Sequence, residues 1–397
     1  MRRRPSCTWL FALSLSLAAC NARCGSSDTP VAVAVPPPFV LGPIAAPRVV
    51  ASRASFDLVA TGSGAVLFFA GPLFENGALR AVPLDPRGSA RGPELTVVAR
   101  APNEPPLLVA EVAAASAGGR LGVAWVAHET PERTAMFATF GGAEAEAFAP
   151  PIALGESVVL PRGVRGRLAM SASDDGALTV TVRNAAGPCG SEGGTCARYE
   201  HRRIGRSDPA PHRAEANEVR VPCEPFLPGS VWTNGVWYSG VCSASEGAHG
   251  HVFVLRAEPP YAADNDGPAG CLPVGLVALD EGAASVSRCA EGLHVAQLGT
   301  DGRAVATTTR SVLSTACVSG HPQLRSTGDG VTISLSLEAP QSRLEALLPA
   351  SLAPEGARAV WTGEALLVAA PQGADVFLRR YVCRPTSREL VRDDDGA

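Results

Sequence analysis

Lysine is missing from all 397 residues, so each of the 34 basic side chains is an arginine. Isoleucine is nearly missing as well, occurring only at positions 44, 152, 204 and 333. With abundant Ala, Gly, Pro and Arg, this is the composition of a GC-rich coding sequence rather than of a surface selected for arginine. Surplus positive charge is absent too. The formal charge is −4, which leaves no electrostatic footprint for nucleic acid. Past the first twenty residues, no apolar run approaches the roughly 20 residues that a membrane-spanning helix needs. Sustained helical periodicity is scarce, and residues 342–348 are the best short candidate. No G-x-S-x-G elbow, H-E-x-x-H pair or Walker loop occurs, which removes the common serine-hydrolase, zincin and P-loop readings.

What the chain has instead is one recurrent pattern: a short apolar strand, a glycine turn and a second alternating apolar strand. It reads Leu58-Val59-Ala60-Thr61-Gly62-Ser63-Gly64-Ala65-Val66-Leu67 first and returns around Gly118-Gly119, Asp175-Gly176, Asn234-Gly235, Glu291-Gly292, Asp329-Gly330 and Thr362-Gly363. The last turn glycines are 55, 57, 59, 57, 38 and 33 residues apart. Asn-Gly and Asp-Gly between alternating apolar runs are strong hairpin signals, because both central positions of a type I′ turn need φ > 0. Three to four short strands per unit, repeated seven times, predict an all-β chain folded as a β-propeller, with seven blades favoured and six possible. A pair of β-sandwiches would also show short strands, but not a hairpin at near-constant spacing. The Val360-Trp361-Thr362-Gly363 strand and turn also looks like the short propeller repeats of exported bacterial proteins.

The expected organisation is a signal segment at 1–19, a linker at 20–47 with Pro36-Pro37-Pro38 at its centre, a propeller at 48–388 and an acidic disordered tail at 389–397. A Pro-rich segment of this kind builds no core and acts as a partly stiff spacer. The seventh unit has three clear strands and needs a fourth, from residues 31–35 or from residues 389–391. The N-terminal strand is preferred, because joining the two ends of the chain removes two exposed sheet edges.

Arg2-Arg3-Arg4, an apolar stretch over residues 8–17 and Leu17-Ala18-Ala19-Cys20 follow the three-part plan of an export signal. The stretch is too short to cross a bilayer permanently. Together these residues resemble the lipobox of bacterial lipoproteins. The resemblance implies that Cys20 becomes the first mature residue and carries a diacylglyceryl group on its sulfur. Two or more acyl chains give stable anchoring where one does not. Asn21 rather than Asp after the lipidated cysteine implies outer-membrane delivery, on its periplasmic face or at the cell surface. Cleavage before Cys20 removes three arginines and no acid, moving the formal charge from −4 to −7.

Cys7 leaves with the signal, and Cys24 in the linker has no evident partner. Cys189, Cys196, Cys223, Cys242, Cys271, Cys289, Cys317 and Cys383 remain, an even set that reads as disulfides in an exported chain. Cys189 and Cys196, on either side of a glycine-rich segment, are the easiest pair to close locally. No C-x-x-C knuckle favours a metal.

The candidate chemistry is thin. His249-Gly250-His251 places two imidazoles on one side of a strand, but two ligands are too few for zinc and sequence names no third; no metal or other cofactor is expected. Ser173-Asp174-Asp175-Gly176 resembles the Asp-box turn of sialidase-like propellers, with its hydroxyl misplaced and its aromatic missing. Asp280-Glu281 reads as a solvated turn rather than a glycosidase pair. Trp125, Trp232, Trp237 and Trp361 fall at core strand positions. No catalytic residue is named. The expected role is a membrane-tethered module that binds a protein or glycan through its loops, with the insertions at 187–217 and 257–271 foremost. The other two readings are a glycan-cleaving hydrolase or lyase, and an assembly factor resembling the propeller lipoprotein of the outer-membrane barrel machinery.

Overall fold

The computed structural model describes residues 39–40 and segments of 55–393, with side chains described within 55–180 and 271–393. Cys20 and the whole lipobox lie outside the described residues, as do Cys24, Cys223 and positions 174–176, 234–235 and 280–281. Side chains of Cys189, Cys196, Cys242, Trp232 and Trp237 are likewise outside them.

After β1 (Phe39–Val40), the chain runs through successive antiparallel meanders. The first sheet is β2 (Phe56–Thr61), β3 (Gly64–Ala70), β4 (Gly77–Leu84) and β5 (Leu95–Ala99); the second is β6 (Leu108–Ala117), β7 (Arg120–Thr130), β8 (Arg133–Gly142) and β9 (Ile152–Ser157). The third contains β10 (Leu168–Ala172), β11 (Leu178–Cys189), β12 (Gly194–Ile204) and β13 (His212–Glu215), with β14 (Val219–Arg220) also on β12. The fourth is β15 (Gly229–Thr233), β16 (Val236–Ser243), β17 (His249–Arg256) and β18 (Asp264–Asp266). The fifth has six strands: β19 (Leu272–Leu279), β20 (Gly282–Cys289), β21 (Gly292–Leu298), β22 (Ala304–Val318), β23 (His321–Gly328) and β24 (Val331–Ser336). The last is β25 (Arg358–Trp361), β26 (Leu366–Gln372) and β27 (Asp375–Cys383), with β1 and β28 (Leu390–Arg392) both paired to β27.

The first strands form a ring. β2 packs beside β6, β6 beside β10, β10 beside β15 and β15 beside β19, and β25 returns to β2. A 3₁₀ turn at Leu344–Ala346, inside the predicted helical stretch, sits against both β19 and β25. Successive meanders packed face to face in a closed ring make the chain a β-propeller, as the hairpin pattern predicts.

The second strand of a sheet shows why the ring holds. β3 reads Gly-Ala-Val-Leu-Phe-Phe-Ala and is buried throughout. Val66, Phe68 and Ala70 join the core shared with the second sheet, whereas Ala65, Leu67 and Phe69 join the core shared with the last. The strand alternates, but both faces are covered, so its apolar run is unbroken. β26 divides in the same way: Leu366, Val368 and Ala370 face one core and Leu367 and Ala369 the other. Trp125 is fully buried in the second sheet and stacks on Phe137 at 5.6 Å between centroids, as its strand position predicts.

Turn glycines set the hairpins. Gly64 has φ +141°, and a Cβ there would lie 2.2 Å from the Leu84 carbonyl oxygen; at Gly282, with φ +137°, it would lie 2.0 Å from that of Leu298. Only glycine fits such a close backbone approach at positive φ.

Six sheets form among the described residues, and the structure shows where the short hairpin spacings come from. In the fifth sheet's first hairpin Leu279 at the end of β19 pairs with Gly282 at the start of β20, so Glu291-Gly292 joins β20 to β21 instead. The Asp329-Gly330 turn joins β23 to β24 within the same sheet, because β22 runs unbroken from β21 to β23. β22 bends at Arg310, which has φ +56°. A buried hydroxyl chain satisfies the polar groups beside the bend: Thr308 and Ser326 lie 2.7 Å apart, Ser326 donates to Ser311 at 2.7 Å, and Ser311 donates to the Leu293 carbonyl at 3.2 Å. Residues 187–217, expected as an insertion, supply the outer strands β12 and β13.

Both chain ends contribute to the last sheet. Among the described residues the N-terminal strand is Phe39–Val40, inside the expected linker, and it pairs with Phe377 and Leu378; residues 31–35 lie outside them. The expected disordered tail is corrected at Leu390–Arg392, which pairs with Tyr381, Val382 and Cys383. The tail is held because β27's edge offers unpaired donors and acceptors and Asp393 pairs with Arg380.

Among the described residues, Cys271 is paired with Cys289 and Cys317 with Cys383. The first fastens the open end of the β19–β20 hairpin. The second ties β22 to β27, where the Cys317 N–H also donates to the Arg388 carbonyl at 2.6 Å. By loop length, the 18-residue closure contributes about 3 kcal/mol and the 66-residue one about 4 kcal/mol in the chain-entropy treatment. Replacing Cys317 and Cys383 together by serine is expected to lower unfolding free energy by about 2–5 kcal/mol in denaturant titration. An unchanged midpoint would show that this bridge does not tie the sheets.

Candidate functional site

Among the described residues, the first strand of each sheet has one edge with no strand hydrogen-bonded to it, so its backbone N–H groups need other acceptors. Side-chain carboxylates supply some of them. Asp57 on β2 accepts from Ala114 N on β6 at 2.8 Å, and Glu111 on β6 accepts from Leu168 N on β10 at 3.2 Å. Both contacts span 57 residues, so an acid near the start of one inner strand caps the next sheet at a single repeat step.

Where the last sheet meets the first, this device becomes a charge cluster. Arg358 on β25 places Nε 3.3 Å from Asp57 Oδ1 and Nη1 3.6 Å from Glu345 Oε1, on the 3₁₀ turn. The three side chains are only 21%, 17% and 12% exposed for Arg358, Asp57 and Glu345. Asp57 Oδ1 also accepts from Leu58 N, Glu345 Oε2 accepts from Ala359 N at 3.4 Å, and Arg358 donates to the Ala357 carbonyl. The guanidinium lies 6.0 Å from the Phe56 ring centroid. One cation between two carboxylates, each carboxylate bonded to a strand N–H, fixes the first and last sheets in register. A turn of the first sheet adds to this seam: Thr362 donates to the Pro86 carbonyl at 2.7 Å and Arg380 to that of Arg87 at 3.3 Å.

A second polar group lies on the exposed turns beside the β22 bend. Arg310 Nε is 2.6 Å from Glu291 Oε2, and Asp329 accepts from both the N–H and the hydroxyl of Thr309. Those Thr309 bonds hold the Asp329 carboxyl below its ordinary range, with the Arg310 charge adding to the effect. On β21, burial lowers the His294 imidazole below its usual value.

None of these side chains was a sequence candidate. The readings at 174–176 and 280–281 fall outside the described residues, and His249 and His251 have only their backbones described, on β17. Trp361 is partly buried against the core of the last two sheets. Among the described residues, no three His, Cys, Asp or Glu side chains converge as a metal site, and no helix is long and apolar enough to cross a membrane.

No protein-family model and no curated protein sequence matches the chain. Among solved structures it is similar to the Hadza microbial sialidase Hz136, at 10% identity and TM-score 0.43, over 86% of this chain and 66% of that one. It is also similar to the β-propeller domain of the Trilobed protease from Pyrococcus furiosus, described as an open velcro topology, at 10% identity and TM-score 0.42, over 86% and 98%. The Trypanosoma rangeli sialidase gives 10% identity and TM-score 0.45, over 90% and 59%. The chain thus spans less than two thirds of either sialidase, and likeness at these values bears on neither substrate nor mechanism.

Two outcomes follow from the geometry. Asp57→Ala leaves the Ala114 N–H and the Arg358 guanidinium without this acceptor, and is expected to cost about 1–3 kcal/mol in denaturant unfolding. Asp57→Asn should recover part of that loss, and equal losses in both variants would contradict the capping role. For Asp329 the folded carboxyl titrates below the unfolded one, so its contribution is present above the unfolded value near 4 and is lost as pH falls through the folded one. Asp329→Asn should therefore flatten the stability–pH curve below about pH 4. A curve identical to the parent's would overturn the assignment.

Proposed function

We propose that this chain is a lipid-anchored β-propeller of the bacterial envelope that binds a protein or glycan partner and catalyses no reaction of its own. The observation that carries this reading is the state of the inner carboxylates. Asp57, Glu111 and Glu345 each accept from a strand N–H, and two of them also flank Arg358. Groups held this way position sheets. A glycosidase needs two carboxyls about 5–9.5 Å apart and available to a sugar, so the glycan-cleaving alternative gains nothing from this cluster.

Two further features support the address. Disulfides persist in oxidising compartments outside the cytosol, and the described residues contain the bridges Cys271–Cys289 and Cys317–Cys383. The lipobox residues Leu17-Ala18-Ala19-Cys20 supply the anchor. A lipid tether removes the need for a membrane-binding face on the propeller, leaving its turns and outer strands for recognition. Outer-membrane placement follows from Asn21 by resemblance.

The reading is tested by Cys20→Ala in cells. The parent chain is expected in the membrane fraction and to partition into detergent, whereas the variant should be released into the soluble or secreted fraction. Equal partitioning of both forms would contradict anchoring through Cys20. Turnover of aryl glycosides by the purified chain, abolished by Asp57→Asn or Glu345→Gln, would favour the hydrolase reading instead.

A further inference from the structure

Two imidazoles, His249 and His251, are too few for a zinc site, and sequence alone names no third donor. Backbone register on the fourth sheet changes that. His249 and His251 lie two residues apart on β17 and therefore share a face. His251 is directly opposite Asp266 on β18, the last strand of the sheet, and Asp264 is opposite Phe253 one step further along the same face. We propose that His249, His251 and Asp266, brought onto one face at the outer edge of the fourth sheet, form a binding site for a divalent transition metal.

Register places these positions within the range of such a site. Directly opposed residues in an antiparallel pair have Cβ atoms about 4.5–5.5 Å apart, and diagonal neighbours about 7–8 Å. His251 and Asp266 are the opposed pair and His249 is diagonal to Asp266, so the three occupy one compact patch of sheet. Two imidazoles and one carboxylate are a donor set for zinc, nickel, copper(II) or iron(II). Calcium and magnesium take oxygen ligands. Three protein ligands leave coordination positions open to solvent or to a ligand from a partner.

Charge on the two faces supports the assignment. The face holding His249 and His251 takes Ser230 and Trp232 from β15, Trp237, Ser239, Val241 and Ser243 from β16, and both aspartates from β18. It contains two acids and no arginine, whereas Arg256 is opposite Val236 and falls on the other face. A bound dication offsets the charge of these two aspartates. Cys242 is opposite Gly250 and is also on the other face, so the proposed donor set contains no sulfur. The site is separate from the Asp57–Arg358–Glu345 cluster, and its test does not depend on the binding role proposed above.

The experiment uses the full chain in detergent, stripped of metal by chelator dialysis and titrated with Zn²⁺ alone against a chromophoric chelator. One equivalent is expected to bind in the micromolar range or tighter, without competition from Ca²⁺. His251→Gln and Asp266→Asn should each weaken binding by about tenfold or more, with far-UV circular dichroism unchanged. His321→Gln, in the exposed His321–Glu338 pair of the fifth sheet, should bind like the parent. X-ray absorption at the zinc edge of the unmutated chain should show a nitrogen and oxygen shell with imidazole scattering, which keeps the test independent of how the variants fold. Absence of saturable zinc binding, parental affinity in both ligand variants, or a sulfur-containing shell would each overturn the proposal.

Discussion

The fold depends on strands that are buried on both faces and share their side chains between two cores. β3 gives Val66 and Phe68 to one neighbour and Leu67 and Phe69 to the other. No sheet of this kind is stable alone, because removing either neighbour exposes half of its apolar residues. Burial of a large apolar side chain contributes about 1.5–3 kcal/mol, so each interface is worth several such contributions and the sheets stand or fall together. Closing the ring is therefore a requirement of the packing, since the first and last sheets would otherwise each leave one apolar face in water.

Closure is reinforced at several levels. The apolar cluster joining Phe56, Leu58 and Leu84 to Leu367 and Leu378 removes that exposed surface. Arg358 between Asp57 and Glu345 then fixes the register, and β1 adds an N-terminal strand to the C-terminal sheet. On the other side of the last sheet, Cys317–Cys383 ties β27 to β22. These interactions explain why the inner acids resist a catalytic reading: each one is part of the joint between sheets.

Local signals in the chain reported local structure well. The apolar–glycine–apolar pattern located the β2–β3 and β6–β7 hairpins, because positive φ at a turn and alternation along a strand depend on a few adjacent residues. The same pattern did not distinguish an inner hairpin from an outer one: Glu291-Gly292 joins β20 to β21, and Asp329-Gly330 joins β23 to β24. Contacts created by ring closure were not legible, since nothing near Asp57 points to a partner 301 positions away at Arg358. The two acid caps were legible in principle, as Asp57 and Glu111 stand one repeat step before the N–H groups they accept from. The third donor beside His249 and His251 came only from the pairing of β17 with β18.

The joint between the first and last sheets is a property of the propeller, whereas attachment to a membrane is the proposal built on Leu17-Ala18-Ala19-Cys20. The proposed anchor is the claim on which the functional reading rests, and intact mass spectrometry of the mature N-terminal peptide tests it most directly. The account predicts that the peptide begins at Cys20 and carries the mass of a diacylglyceryl group. A peptide that begins elsewhere, or an unmodified Cys20 thiol, would contradict it.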